Sequence, residues 1–143
     1  MNLLPPEKYA AVPSVERGHE LAAAILDKIP PRIGGLAIAK TILDQQQWNL
    51  RYRDSFPLSS TLESLLVPLL HGGFTVVLNT RRFPADPQES KHREAFLIGH
   101  EIAHSFFYSE KPGKIPRRIF GALSTPEEEY FCDAFGDPFS ERR

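Results

Sequence analysis

Apolar residues recur at helical spacing in several stretches of this chain, and these stretches predict its helices. The first stretch covers residues 15–29, with Ser14 as the capping residue and Pro30-Pro31 as the stop. A second covers residues 33–46 and ends in a run of glutamines. Two amphipathic N-terminal helices are therefore expected in residues 1–46.

Two further helices are predicted by both periodicity and capping signals. Asp86 and Thr125 each stand directly before a proline, and each is followed three residues later by a glutamate. This pattern is typical of a helix that begins with a capping box and has proline at its first position. It predicts a helix over Pro87–Tyr108 and another that starts after Thr125.

Strands are predicted between these two pairs of helices. Trp48–Tyr52 alternates apolar and polar residues, and Phe74–Asn79 is rich in residues that favour strands. Leu62–Leu70 fits either a helical turn or a strand, but Pro68 and the following Gly72-Gly73 favour a β-hairpin. The expected fold is a compact α+β domain with N-terminal helices and a small antiparallel sheet.

Composition limits the class of protein. The 143 residues are 41% hydrophobic and 24% charged, which is ordinary for one soluble globular domain. The net charge of −1 gives no general attraction to nucleic acid or to an anionic membrane, so direct nucleic-acid binding is not expected. One cysteine excludes a disulfide within the chain, and we find no secretory signal or membrane-spanning run. The expected location is the cytoplasm.

The candidate chemistry lies in His100-Glu101-Ile102-Ala103-His104, inside the third predicted helix. Residues four apart lie about 40° apart around a helix, so both imidazoles point to the same side. They can bind one zinc ion, and Glu101 is placed to act as general base on a water molecule. The competing interpretation is a helix with two surface histidines, but the apolar residues around them predict a buried helix.

A catalytic zinc site usually has three protein ligands, and Glu129 is the candidate for the third. Asp133 lies four residues later on the same helix face, where it could accept the spare ring N–H of a ligand histidine. A first turn of acidic residues that complements the helix dipole is the alternative, and it accounts well for Glu127 and Glu128. Cys132 is expected to be a small buried packing residue, although a thiolate ligand stays open.

Other residues received weaker assignments. His71, at the predicted hairpin turn, and His92, two turns before His100, are expected to be solvated, and a fourth metal contact is the alternative for His71. Tyr108, Tyr130 and His71 are candidates for stabilising an oxyanion on chemistry alone. The loop predicted over 110–124, with Arg117-Arg118, is expected to be a solvated connection, and contact with an acidic stretch of substrate is the alternative.

The HExxH motif, followed about twenty-five residues later by Glu-x-x-x-Asp-x-Phe, resembles the ImmA/IrrE family of bacterial zinc metallopeptidase-like proteins. The similar region is residues 48–135, within a single domain that spans residues 1–143. The resemblance implies a zincin-like fold in which the helix of Glu129 crosses the HExxH helix. It also implies that His100, His104 and Glu129 bind zinc, that Glu101 is the catalytic base and that Asp133 supports a ligand.

The same resemblance implies a substrate. It suggests cleavage of a transcriptional repressor of the helix-turn-helix type in a phage, mobile-element or stress-response circuit. The chain departs from the family after Phe135, where it reads Gly136-Asp137-Pro138-Phe139, and this implies a truncated or divergent C-terminus. A catalytically inactive regulator that uses the same scaffold as an interaction module is therefore the alternative function.

Overall fold

The computed structural model describes residues 2–5, 13–55, 61–119 and 124–142. Single 3-10 turns are formed by Thr80–Arg82 and by Ser105–Phe107. The α+β class predicted from the sequence is confirmed. In chain order the helices and strands of these ranges are α1 (Val15–Leu26), α2 (Gly35–Gln46), β1 (Asn49–Arg53), β2 (Ser64–Pro68), β3 (Phe74–Asn79), α3 (Pro87–His104), β4 (Tyr108–Ser109), β5 (Arg117–Arg118) and α4 (Pro126–Glu141).

The predicted helix starts are confirmed by their caps. Ser14 accepts a hydrogen bond from the amide of Arg17, and Asp86 and Thr125 do the same for the third residue after each of them. The helix ends differ from the prediction. α1 stops at Leu26 rather than 29, because helical conformation is disfavoured for the residue before Pro30 and residues 27–29 form a turn. α3 ends at His104 rather than Tyr108, because Ser105–Phe107 form a 3-10 turn.

The main sheet has three strands in the order β1-β3-β2. β2 and β3 form the predicted antiparallel hairpin, with Leu66 opposite Val76. β1, however, runs parallel to β3, so the prediction of an antiparallel sheet is wrong for this pair. β3 is the most buried of the three strands, with buried side chains at Phe74, Val76 and Leu78, as expected for the central strand of the sheet.

The loop predicted over residues 110–124 contains a short strand. β5 pairs antiparallel with β4 through two residues, Arg117 and Arg118, which the sequence had placed in a loop. Residues 120–123 of the predicted loop lie outside the described residues. This short ribbon brings Arg118 back towards α3 and α4.

Helix α4 lies against α1, α2 and α3. Its crossing with α3 is close because Gly99 and Gly136 face each other there. A Cβ added to Gly136 would lie 2.7 Å from the carbonyl oxygen of Phe96, and one added to Gly99 would lie 3.1 Å from the Cα of Gly136. The two helices therefore pack closely, because neither glycine has a side chain to hold their backbones apart.

The stretch after Phe135 is part of this packing. α4 continues through Pro138 to Glu141, and the side chain of Phe139 is fully buried. The guanidinium of Arg142 donates hydrogen bonds to four carbonyl oxygens in and after α1: those of Leu26, Ile29, Pro30 and Ile33. Gly136-Asp137-Pro138-Phe139 thus forms an ordinary helical segment.

One apolar core joins the N-terminal helices to the rest of the domain. It contains buried residues of α1 and α2, of β3, and of α3 and α4. Three phenylalanines of α4, Phe131, Phe135 and Phe139, are completely buried within it. Among the described residues, no helix has the length and apolar character needed to cross a membrane.

Candidate metal centre

Two imidazoles of α3 lie side by side, as their spacing of one turn predicts. The Nε2 atoms of His100 and His104 are 3.1 Å apart, and the ring centroids are 4.7 Å apart. His104 is 8% exposed, and His100 is partly buried. Their Nε2 atoms point towards the same point in front of the helix.

Glu129 of α4 reaches the same point from the opposite side. Its Oε2 atom is 3.1 Å from Nε2 of His104 and 3.5 Å from Nε2 of His100. This oxygen is buried and has no hydrogen-bond partner, while the other oxygen of the same carboxylate accepts from Ser124. Three electron-pair donors thus converge on one small volume.

A layer of carboxylates stands behind the two imidazoles. Oδ1 of Asp133 is 2.9 Å from Nδ1 of His100, although the ring N–H points too obliquely for a well-aligned hydrogen bond. Oε2 of Glu128 is 2.5 Å from Nδ1 of His104. Each histidine therefore has a carboxylate at the ring nitrogen that faces away from the convergence point.

Glu128 is one of the site residues that the sequence analysis missed. It was assigned to an acidic first turn, yet it is only 2% exposed. Its position in the helix could have revealed this, because Glu128, Phe131, Phe135 and Phe139 recur at the spacing of one buried face. An acidic residue on such a face requires a partner.

Arg118 completes this buried network. Its guanidinium forms an ion pair with Oε1 of Glu128 and lies 5.0 Å from the ring centroid of Tyr108. Burial opposes the charge of Arg118, but Tyr108 and Glu128 together raise its pKa. Glu128 therefore links the ribbon β4-β5 to the imidazole of His104.

Glu101 lies deep in the wall of a cleft next to the histidines. It is 4% exposed, and its Oε2 atom accepts a hydrogen bond of 2.5 Å from the hydroxyl of Ser64. The cleft has a volume of about 730 Å³ and runs between β2 with the residues before it and the helices α3 and α4. His100, His104, Glu129 and Asp133 also line it.

The charges of the centre are strongly coupled. Burial lowers the pKa of His100, but Asp133 and Glu129 more than offset this and raise it to about 9. Burial likewise acts against the charge of His104, whose contacts with Cys132, Glu128 and Glu129 raise its pKa well above the usual range. The two imidazoles hold the pKa of Glu129 well below its usual range. Without a metal ion, the centre favours protonated histidines beside an ionised Glu129.

Cys132 lies on the buried side of the same helix. Its side chain is fully buried, and burial raises the pKa of the thiol to about 12. Among the described residues, two groups of side chains could hold a metal ion: His100 with Glu101 and His104, and His104 with Glu128 and Cys132. In both groups the candidate ligand atoms lie within 4.8 Å of one another.

Several other candidates lie outside the cleft. His71 is exposed at the hairpin turn, His92 is partly buried in the first half of α3, and Tyr130 is 61% exposed. None of the three lines the cleft, whereas Tyr108 does. Of the pair Arg117-Arg118, only Arg118 lines it, so that residue is not the solvated loop residue that was expected.

Comparison with known proteins gives no relative to set beside this geometry. No family model, no curated protein and no solved structure matches the chain.

Proposed function

We propose that this chain is a zinc-dependent endopeptidase. The observation that carries the proposal is the convergence of two imidazole Nε2 atoms and one buried carboxylate oxygen from two crossing helices. That oxygen, Oε2 of Glu129, is buried and accepts no aligned hydrogen bond, so an ionised Glu129 needs a positive charge beside it, which a metal ion or the protonated imidazoles can supply.

The spacing of the three atoms supports zinc. Ligand bonds of about 2.0–2.2 Å in a tetrahedral site place the ligand atoms about 3.3 Å apart. The separations here are 3.1 Å between the two imidazoles and 3.1 and 3.5 Å from them to Glu129. Two histidines and one glutamate are a ligand set of zinc peptidases, and they leave one position for water or substrate.

The carboxylates behind the imidazoles fit the same proposal. A histidine that binds metal through Nε2 commonly donates its Nδ1–H to a carboxylate, which fixes the tautomer and the ring orientation. Glu128 serves His104 in this way, and Asp133 stands at the corresponding position for His100.

Glu101 is the proposed general base. Zinc, when bound, supplies Lewis acidity that polarises the scissile carbonyl and makes water a stronger acid. Glu101 takes the proton from the attacking water and later delivers it to the leaving amine, so it ends the cycle ionised. The hydroxyl of Ser64 holds one of its oxygens, which fixes the carboxylate against the wall of the cleft.

Tyr108 is the candidate oxyanion stabiliser among those considered, because it lines the cleft and Tyr130 and His71 do not. The proposed substrate is a protein segment. We propose a helix-turn-helix transcriptional repressor, on the strength of the resemblance of residues 48–135 to the ImmA/IrrE family.

Elemental analysis of protein purified without a metal-affinity tag tests the site. About one zinc per chain is expected, and Glu129→Ala should lose most of it, because the third ligand is removed. Glu127→Ala is the matched control, since that residue is exposed on the same turn of α4 and should leave the zinc content unchanged. A chain without zinc after supplementation, or equal zinc in both variants, would contradict the proposed site.

Glu101→Gln tests the chemistry separately. This variant should keep its zinc and lose hydrolysis by at least about 100-fold, measured as cleavage of a peptide library by mass spectrometry. Undiminished cleavage would remove Glu101 as the base. A parent protein that binds zinc and cleaves nothing in the library or in a co-expressed repressor would point instead to the inactive regulator.

A further inference from the structure

We infer that the surface at the open edge of β1 binds an extended acidic protein segment, which adds to the sheet as a further strand. This surface, the arginine corner, consists of Arg51 and Arg53 of β1 and Arg81 and Arg82 of the turn after β3. None of the four lines the cleft, so the inference goes beyond the proposed peptidase activity.

The backbone brings the four arginines together. Arg53 is paired with Asn79, the last residue of β3, and the hydroxyl of Thr80 donates to the carbonyl oxygen of Arg53. Arg81 and Arg82 follow directly in the chain. All four side chains are exposed.

The positive charge of this corner is not neutralised by nearby acids. In the described part of the chain, none of these four arginines forms an ion pair with an acidic side chain. The protein as a whole has a net charge of −1, so the corner is a local feature rather than a sign of a generally basic protein. An anionic partner is the chemistry that four free guanidinium groups recognise.

The strand edge explains why the partner should be an extended peptide. β1 is an outer strand of the sheet, and among the described residues nothing pairs with its other side. A peptide strand can therefore satisfy its free N–H and C=O groups. Arg51 and Arg53 lie on one face of β1 about 7 Å apart, which matches acidic residues at alternate positions of an added strand.

Nucleic acid fits this surface less well. Tyr52 lies between the two strand arginines. Its hydroxyl donates a hydrogen bond of 2.5 Å to Glu94 of α3, so its side chain is directed to the helical layer. Lys40 also pairs with Glu94. Among the described residues of the corner, Tyr52 is the aromatic residue, and its 46% exposed side chain is held by its hydroxyl and is not free to turn towards a base.

Protection of the strand edge is the competing explanation. Charged side chains on an outer strand hinder unwanted pairing between proteins. This accounts for Arg51 and Arg53 but leaves Arg81 and Arg82 unexplained, because they lie outside the strand.

Fluorescence anisotropy with the full chain tests the inference. The probe is a labelled peptide of about six residues, a usual strand length, in which glutamate and threonine alternate. Arg51→Glu/Arg53→Glu and Arg81→Glu/Arg82→Glu should each weaken binding about tenfold or more, because two attractive pairs become repulsive. Lys28→Glu/Arg32→Glu makes the same change of charge at exposed residues after α1 and should have little effect.

Two further probes separate the alternatives. The same peptide with N-methyl groups on its backbone amides should bind far more weakly, because it cannot pair with β1. Unchanged binding of the methylated peptide, tighter arginine-dependent binding of oligothymidine, or no binding of the acidic peptide would each overturn the inference. Circular dichroism of the variants establishes that the charge changes leave the fold intact.

Discussion

At the scale of single residues, the candidate site divides into side chains that the sequence identifies and side chains that only the fold identifies. His100, Glu101 and His104 follow from a spacing of four on one helix, which is local information. Glu129 and Asp133 were also named correctly as neighbours of the histidines. Glu128 and Arg118 were missed, because their roles depend on contacts across 24 and 10 residues of chain.

The carboxylate of Glu128, which lies behind the imidazole of His104, can be tested by substitution. Glu128→Gln should weaken zinc affinity about 10–100-fold, because a neutral amide polarises and orients His104 less well than a carboxylate. Competition with a chromophoric chelator measures the affinity. Glu127→Gln is the control and should match the parent, whereas an unaltered affinity of Glu128→Gln would make that residue purely structural.

Because the pKa of His100 is raised, the stability of the metal-free protein should fall as pH rises, whereas its zinc affinity should increase. In the metal-free protein its pKa rises from 6.5 to about 9, so the protonated form stabilises the fold. This stabilisation is complete below about pH 6.5 and is lost as the pH rises through about 9. Zinc affinity should increase over the same interval, because the ligand must lose its proton.

Urea unfolding of the metal-free protein between pH 6.5 and 9 measures the first effect, and chelator competition at the same pH values measures the second. The control is His92→Gln, which should retain both slopes. If the metal-free chain instead becomes more stable as the pH rises from 6.5 to about 9, the assignment of a positive charge to His100 is wrong.

At the scale of helices and strands, the helices and the β2-β3 hairpin could be predicted from the sequence, whereas the direction of β1 and the β4-β5 ribbon could not. Caps and periodicity located α1 to α4 and the hairpin β2-β3, because these signals lie within a few residues of one another. The direction of β1 relative to β3 depends on contacts 26 residues apart, for which the sequence carries no local signal. The ribbon β4-β5 has two residues in each strand, which is too short to show any periodicity.

The crossing of α3 and α4 can be tested at Gly136. Gly136→Ala places a methyl group 2.7 Å from the carbonyl oxygen of Phe96, so the helices must separate. A loss of about 1–3 kcal/mol in the free energy of unfolding is expected, as for overpacked cores. Zinc affinity should fall as well, because Glu129 and Asp133 move with α4.

Urea unfolding and chelator competition give the two readouts for this variant. Ser140→Ala, on a partly buried position of the same helix, is the control and should change neither quantity much. A Gly136→Ala protein with parental stability and zinc affinity would show that the close crossing is unimportant for the site.

At the scale of the whole molecule, the N-terminal helices belong to the same core as the metal centre. Gly18 of α1 lies so close to α4 that an added Cβ would be 2.6 Å from the carbonyl oxygen of Phe131. The core residues of α1, including Leu21, Ala22 and Ile25, are buried in this arrangement. The sequence predicts an N-terminal helical part in residues 1–46 and a metallopeptidase-like core in residues 48–143, and the described residues of both parts pack into one apolar core.

Removal of residues 1–46 should consequently prevent folding. The shortened chain would expose the faces of α3 and α4 that α1 and α2 cover, and with them part of the phenylalanine cluster of α4. Far-UV circular dichroism and proton NMR should show loss of structure or aggregation. A shortened chain that remains folded and binds zinc would demonstrate an independent metallopeptidase-like core.

The position of α4 at the centre of the helical layer has a consequence for biosynthesis. α1 leaves the ribosome about 100 residues before the helix that covers it, which corresponds to roughly 5–20 s of translation. During this interval the apolar face of α1 lacks its native partner α4. The contacts between the two helices join residues that are far apart in the chain, and such contacts form late in folding. Nascent chains of this protein should therefore depend on chaperones, and pauses in translation before α4 should increase misfolding.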